Sequence, residues 1–162
     1  MAVDMFMAID DIEGESADST HKKEIDVLGW KWRAHQVGSA HVGSGTGSGK
    51  AAVEDLVVEM AFEKSSPTIM SWLLSGKPFT KATLTIRKAG GQPIEYIKIV
   101  MKTGIISDMS LSGTPSSDFQ MVSVSLNFAE VEIHYKPQMP DGTAGPETVI
   151  DYNIAGTSPG SS

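Results

Sequence analysis

Residues 38–50, GSAHVGSGTGSGK, gather the residue types of a phosphate cradle: glycines to bare backbone N–H groups, the Lys50 ammonium to meet the anion, and hydroxyls to hold magnesium. The spacing does not complete it. A P-loop needs glycine where Ser44 stands and a Ser or Thr where Ala51 stands, and no helical pattern follows. A dinucleotide fingerprint is absent too, since Gly43-Ser44-Gly45 leads to Ser48 and Gly45-Thr46-Gly47 leads to Lys50. Gly156-Thr157-Ser158-Pro159-Gly160 spells a nucleophile elbow, but the motif needs a helix after it and a histidine later in the chain, and neither follows. His21, His35, His41 and His134 show no close ligand spacing. The carboxylates alternate along the sequence without a pattern that pairs one in an apolar pocket with another. Cysteine is absent, which removes disulfides, thiolate metal sites and thiol nucleophiles. The residues therefore predict no enzyme, no cofactor and no metal site.

Composition narrows the remaining classes. A chain of 162 residues and 17.3 kDa is the size of one domain. A single domain is expected over residues 1–154, followed by a small, polar, flexible tail over 155–162. Lys plus Arg number 13 against 20 Asp plus Glu, a formal net charge of -7, the wrong sign for gripping a phosphate backbone, so no nucleic-acid partner is expected. The N-terminal residues have neither a basic region nor an unbroken apolar stretch, and no apolar run is long enough to span a bilayer. No membrane insertion is expected, and any export would bypass Sec-type signals.

The elements that would position these side chains read as strands. Over 25–37, Leu28, Trp30, Trp32 and Ala34 alternate with Lys31, Arg33 and His35, the pattern of a half-buried strand with a basic outer face. A second such strand runs over 54–62. Further β-rich runs cover 79–88, 94–102, 105–111 and 121–135, with turn signals at Gly90-Gly91, Thr103-Gly104 and 112–117. Residues 3–9 and 148–154 supply the first and last strands. In 121–135 the apolar face runs Val122, Val124, Leu126, Phe128 and then slips to Val131, Ile133, Tyr135, which predicts a bulge and a bend near Ala129 and Glu130. One short amphipathic helix is expected at about 67–75, capped by Ser65-Ser66-Pro67 and stopped by Gly76. The fold class is thus mainly β: a bent antiparallel β-barrel of two sheets with one short flanking helix. The glycine-rich loop 38–50 should project from it.

Several stretches, MAVDMFMAIDDIEGESADSTHKKEIDVLGWKW, VEDLVVEMAFEKSSPTIM, SGKPFTKATLTIRKAGG, VSLNFAEVEIHYKPQ and DYNI, closely resemble the haemolysin-coregulated proteins, Hcp, tube subunits of bacterial type VI secretion systems. The most specific pieces are Gly14-Glu15-Ser16 followed by Glu24-Ile25-Asp26-Val27, the run from Leu84 to Gly90, and Leu126-Asn127-Phe128-Ala129. The resemblance covers almost the whole chain. It implies a β-barrel of two sheets with a helix on its side, closed with itself as a homohexameric ring around a wide pore. Rings stack into a phage tail-tube-like tube that a contractile sheath, with its baseplate and spike, drives outward. Effector proteins ride in the pore, so the subunit is conduit and chaperone. Such proteins stay cytoplasmic during assembly and are then secreted without a signal peptide.

The resemblance also assigns the projecting loop, Gly43, Ser44, Gly45, Thr46, Gly47, Ser48, Gly49 and Lys50, to contacts between stacked rings, where glycine permits close backbone approach. Fused toxin domains occur in the family; with the sequence ending at Ser162, a plain tube subunit with non-covalent cargo is expected. The strand alternation adds a pore-lining expectation: Lys31, Arg33 and His35 face the lumen and Leu28, Trp30 and Trp32 the barrel, so sixfold repetition would build cationic rings for acidic cargo. The same three residues would equally suit a solvent face or ion pairs to a neighbouring protomer. Two rivals remain from the residues alone: a monomeric β-sandwich binding module that stacks sugar or peptide on Trp30, Trp32 or Trp72, and a small hydrolase built on Ser158.

Overall fold

A computed structural model describes residues 2–36 and 51–156, with the backbone alone of 158 and 159. The strands are β1 (Val3–Ile9), β2 (Ile25–Lys31), β3 (Ala34–His35), β4 (Ala52–Val53), β5 (Leu56–Ala61), β6 (Pro78–Lys88), β7 (Ile94–Ser112), β8 (Met121–Tyr135), β9 (Thr148–Asn153) and β10 (Ser158–Pro159). The helix α1 (Ser65–Ser75) lies between β5 and β6. The main sheet runs β10-β9-β8-β5-β2-β1-β6-β7, and β7 also pairs with β8. That last pairing closes six strands, β8, β5, β2, β1, β6 and β7, into a barrel and leaves β9 and β10 as an extension outside it. All pairings are antiparallel.

The alternation read from the sequence is the alternation that fills the barrel. Leu56, Val58 and Met60 of β5, Leu84 of β6, Met101 and Ile106 of β7 and Val122, Val124 and Leu126 of β8 are all buried in one cluster. Each fully buried side chain of this size contributes about 1.5–3 kcal/mol. The helix packs over the barrel through Ile69 and Trp72. It begins two residues earlier than the sequence predicts because Glu63 caps it: its backbone N–H donates to Ser66 Oγ at 3.0 Å and its carboxylate accepts from the Ser65 N–H at 2.9 Å and from the Ser65 hydroxyl. The predicted stop is where it stands. Gly76 adopts φ 71°, and the Gly76 and Lys77 N–H groups donate to the Leu73 and Trp72 carbonyls at 3.2 and 3.0 Å, which satisfies the last turn.

Thr103-Gly104 is not a turn, contrary to the sequence reading. The runs 94–102 and 105–111 form one bent strand, β7, with Thr103 at φ 55° and Gly104 buried at the bend. Gly104 is required there by close approach, since a methyl group would overlap the Asn127 carbonyl oxygen and the Phe79 ring. The burial phase of β8 slips where expected, between Phe128 and Val131. The bulge, however, lies on the partner: the β7–β8 register is unbroken through Lys102↔Glu130 and Gly104↔Phe128 and shifts between Ile106 and Asp108. What changes at Ala129 is the other neighbour of β8, from β5 at Leu56↔Leu126 to β9 at Glu130↔Asn153. Turning from the barrel wall into the extension is what rotates the strand.

Candidate functional site

Of the three basic residues expected to form one row, Lys31 ends β2, Arg33 follows it and His35 lies in β3. Lys31 ends β2 opposite Val57 on the outer wall, beside a shallow cavity of about 120 Å³ that Trp30 and Glu59 help line. Arg33 and His35 lie beyond the wall, next to the two-stranded ribbon of β3 and β4 (Ala34↔Val53, His35↔Ala52). There they share one carboxylate: Arg33 Nη1 is 3.4 Å and His35 Nδ1 4.0 Å from Glu54 Oε1. Glu54 is held by its backbone, its N–H donating to the Arg33 carbonyl at 2.9 Å and its carbonyl accepting from Trp32 Nε1 at 2.8 Å. An exposed pair of this kind contributes at most about 1 kcal/mol, and the Glu54 carboxylate offsets part of the Arg33 charge.

Leu28 corrects the sequence reading. A register shift between Val27 and Gly29 turns it outward, 49% exposed, while Trp30 and Trp32 pack against the core as expected. Trp72 is buried as well, with Lys77 Nζ 4.5 Å from its ring centre. Gly43, Ser44, Gly45, Thr46, Gly47, Ser48, Gly49 and Lys50 lie outside the described residues. Among the described residues no group of His, Asp and Glu is placed to hold a metal ion, and no helix is long and apolar enough to cross a membrane. Ser158 sits in β10, paired with Asn153, and not at a strand-to-helix turn.

The surface also carries exposed apolar side chains. At one end of β8, Phe62, Leu111 and Phe119 are each about half exposed, and Leu111, in register with the core residue Val122, sits at the barrel rim. At the other end, on the extension, Tyr135 and Ile150 are exposed on one face of the sheet, Ile150 by 60%, and Val149 on the other. Apolar patches of this kind are surfaces on which a molecule can meet something else.

Residues 6–135 match the family described as "Type VI secretion system effector, Hcp". The chain belongs to the Hcp family. A Pseudomonas aeruginosa relative, "Protein hcp1", is 48% identical over 143 residues, 88% of this chain and 88% of that protein. The crystal structure of Hcp1 from Salmonella typhimurium superposes with a TM-score of 0.82 at 32% identity, covering 98% of this chain and 99% of that one. A second solved structure, described as a type six secretion system protein, reaches 0.92 at 27% identity over 98% and 100% of the two chains. The family is one of structural secretion-system proteins, and the barrel with its flanking helix is the family's fold.

The best-built polar cluster of this Hcp chain escapes a reading by sequence spacing. Arg87 on β6 is nearly enclosed and clamps Asp18 with two bonds, 2.7 and 3.0 Å, and Asp4 with one of 2.9 Å. The Arg87 bonds hold the Asp18 carboxyl far below the usual aspartate range against the opposing effect of burial, with the Thr20 and His21 N–H groups adding to them. The partners are 69 and 83 residues apart along the chain, a separation that carries no local signal. The β1–β6 register is what brings Arg87 opposite Asp4.

A depressed carboxyl contributes stability above the ordinary aspartate value, about 4, and that contribution disappears as pH falls toward the value in the folded state. Replacing Asp18 by Asn removes it at every pH. Urea midpoints measured from neutral pH down to about pH 3 should therefore fall less steeply for Asp18→Asn than for the parent. Equal slopes would mean that Asp18 does not titrate differently on folding.

Proposed function

We propose that this protein is the tube subunit of a type VI secretion system, closing with copies of itself into hexameric rings that stack into an expelled tube and carry effector proteins in the pore. The observation that carries the reading is membership of the Hcp family across the whole barrel, residues 6–135. The two apolar patches support it. They differ in composition and sit at opposite ends of β8, and a head-to-tail ring needs two unlike surfaces on every subunit, whereas a two-fold dimer needs one. The sheath, baseplate and spike are the remaining partners of this reading, with assembly in the cytoplasm and delivery outward as part of the tube.

Lys31, Arg33 and His35 are proposed to face the lumen, with Arg33 and His35 also close to Glu54. The 38–50 stretch itself is proposed to contact the next ring. The sugar- or peptide-binding module is disfavoured, because Trp72 is buried and Trp30 and Trp32 pack half-buried against the core.

Native mass spectrometry of the purified protein, followed by negative-stain imaging of the same sample, tests the proposal. A six-subunit species seen as hollow rings is the expected result. Ile150→Asp, at the centre of the extension patch, should shift the population to monomer while leaving the circular dichroism spectrum unchanged. A parent protein that stays monomeric at millimolar concentration would overturn self-assembly.

A further inference from the structure

Residues 10–24 join β1 to β2: Ile12 anchors the first turn in the barrel core, and from residue 13 the segment runs as a strap across the outside, with two backbone positions that side-chain-bearing residues rarely adopt, Asp11 at φ 68° and Lys23 at φ 65°. The strap must therefore be held down by contacts along its length. On one side it reaches the start of α1, where the Glu15 N–H donates to Glu63 at 2.8 Å and Glu13 pairs with Lys64 at 2.9 Å. On the other side Asp18 is clamped by Arg87 and folds the chain at Thr20 and His21. That fold drives His21 inward, where its ring is buried and stacked on Phe6, centroids 4.4 Å apart and planes within 10°.

His21 is the fastening. Its Nδ1 meets Glu24, at the strap's own end, and its Nε2 meets Glu95 on β7 at 2.6 Å. A neutral imidazole has one N–H and one lone pair, so it can donate to one carboxylate only; two carboxylates facing both nitrogens require the doubly protonated ring. The charged groups around it are Glu24 from the strap, Glu95 and Lys98 (4.0 Å from the Glu95 carboxylate) from β7, Arg87 from β6 over the Phe6 ring, and Asp4 from β1 through Arg87. Losing the second proton leaves one carboxylate against a lone pair, and the strained backbone positions then favour release.

We propose that residues 13–24, beyond the Ile12 anchor, are a proton-dependent strap, closed over the barrel wall while His21 bridges Glu24 and Glu95 as an imidazolium and released when that bridge loses a proton. Release would bare Phe6 and Thr85, which are otherwise buried on the outer wall, and would detach the brace to α1. The subunit's outer surface therefore differs between a mildly acidic and an alkaline compartment. This holds for the single subunit and does not depend on ring formation.

Hydrogen–deuterium exchange of the purified protein across roughly pH 6 to 8, the range in which imidazole changes charge, corrected for the intrinsic exchange rate, reads the strap directly. Protection of residues 13–24 should fall about tenfold as pH rises, while the amides of β1 and β6 keep theirs. In His21→Gln the strap should be poorly protected at every pH. Glu95→Gln provides a second readout if that variant fails to fold: its amide can either accept from or donate to Nε2, so the pH-dependent drop should vanish. A strap whose protection is flat across the range in the parent, or a drop that persists unchanged in either variant, would overturn the proposal.

Discussion

Gly104→Ala should leave little folded protein in urea concentrations at which the parent is fully native. Gly104 lies at the bend of β7, where the strand is pressed against β8 and β6 at once. A methyl group built there overlaps the Asn127 carbonyl oxygen and the Phe79 ring, with a further ring carbon at 2.9 Å. Neither neighbour can give way cheaply. The carbonyl belongs to the backbone of β8, and Phe79 is one of the largest fully buried side chains. The expected loss is on the order of 3 kcal/mol, a large share of the roughly 5–15 kcal/mol that a domain of this kind has in total. Gly29→Ala is the matched control, because its methyl would meet nothing nearer than Glu59 Oε2 at 3.7 Å, and it should fall within about 0.5 kcal/mol of the parent. Equal midpoints for the two variants would show that the β7 bend relaxes freely, and would remove the argument that close packing there shapes the barrel.

Leu126→Ala should produce a loss of similar size by the opposite route. Leu126 is 0% exposed and faces the interior from the strand that joins both halves of the barrel, in register with Leu56 on one side and Ile106 on the other. Truncation removes buried apolar surface and leaves a cavity among strands whose register is pinned from both sides, so about 2–5 kcal/mol is expected. Leu74→Ala removes the same atoms from a side chain 76% exposed on α1 and should cost no more than about 0.5 kcal/mol. Denaturation midpoints of the pair measure the difference directly. A Leu126→Ala loss below about 1 kcal/mol would mean the barrel interior can collapse around the deletion.

The alternation of apolar and polar residues alone determined most of the strands, the inward set Leu56, Val58, Met60, Val122, Val124 and Leu126, and the helix stop at Gly76. These are local properties: a strand exposes alternate side chains whatever it later pairs with, and a glycine at a helix end takes the left-handed conformation for reasons that lie within a few residues. The motif failures at Lys50 and Ser158 were legible for the same reason, since a missing hydroxyl or a missing helix is a local fact. The resemblance carried by the runs around Gly14 and Leu84 pointed to the family that the comparisons then showed.

Only the tertiary structure decided the rest. Thr103-Gly104 looks like a turn from its composition, yet it is a bend inside one strand, because what selects glycine there is the approach of Asn127 and Phe79 from elsewhere in the chain. Leu28 follows the alternation on paper but faces outward because a bulge beside it changes the phase, and bulges depend on the partner strand. Lys31, Arg33 and His35 share a face in an ideal strand; in the real one β2 ends at Lys31 and a separate ribbon begins at Ala34. His21, which shows no ligand spacing in the sequence, is enclosed by Phe6, Glu24 and Glu95, and Arg87 finds Asp4 and Asp18 across the sheet. Those contacts join residues up to 83 positions apart, and such pairings exist only once the chain has closed on itself, which no single-strand pattern encodes.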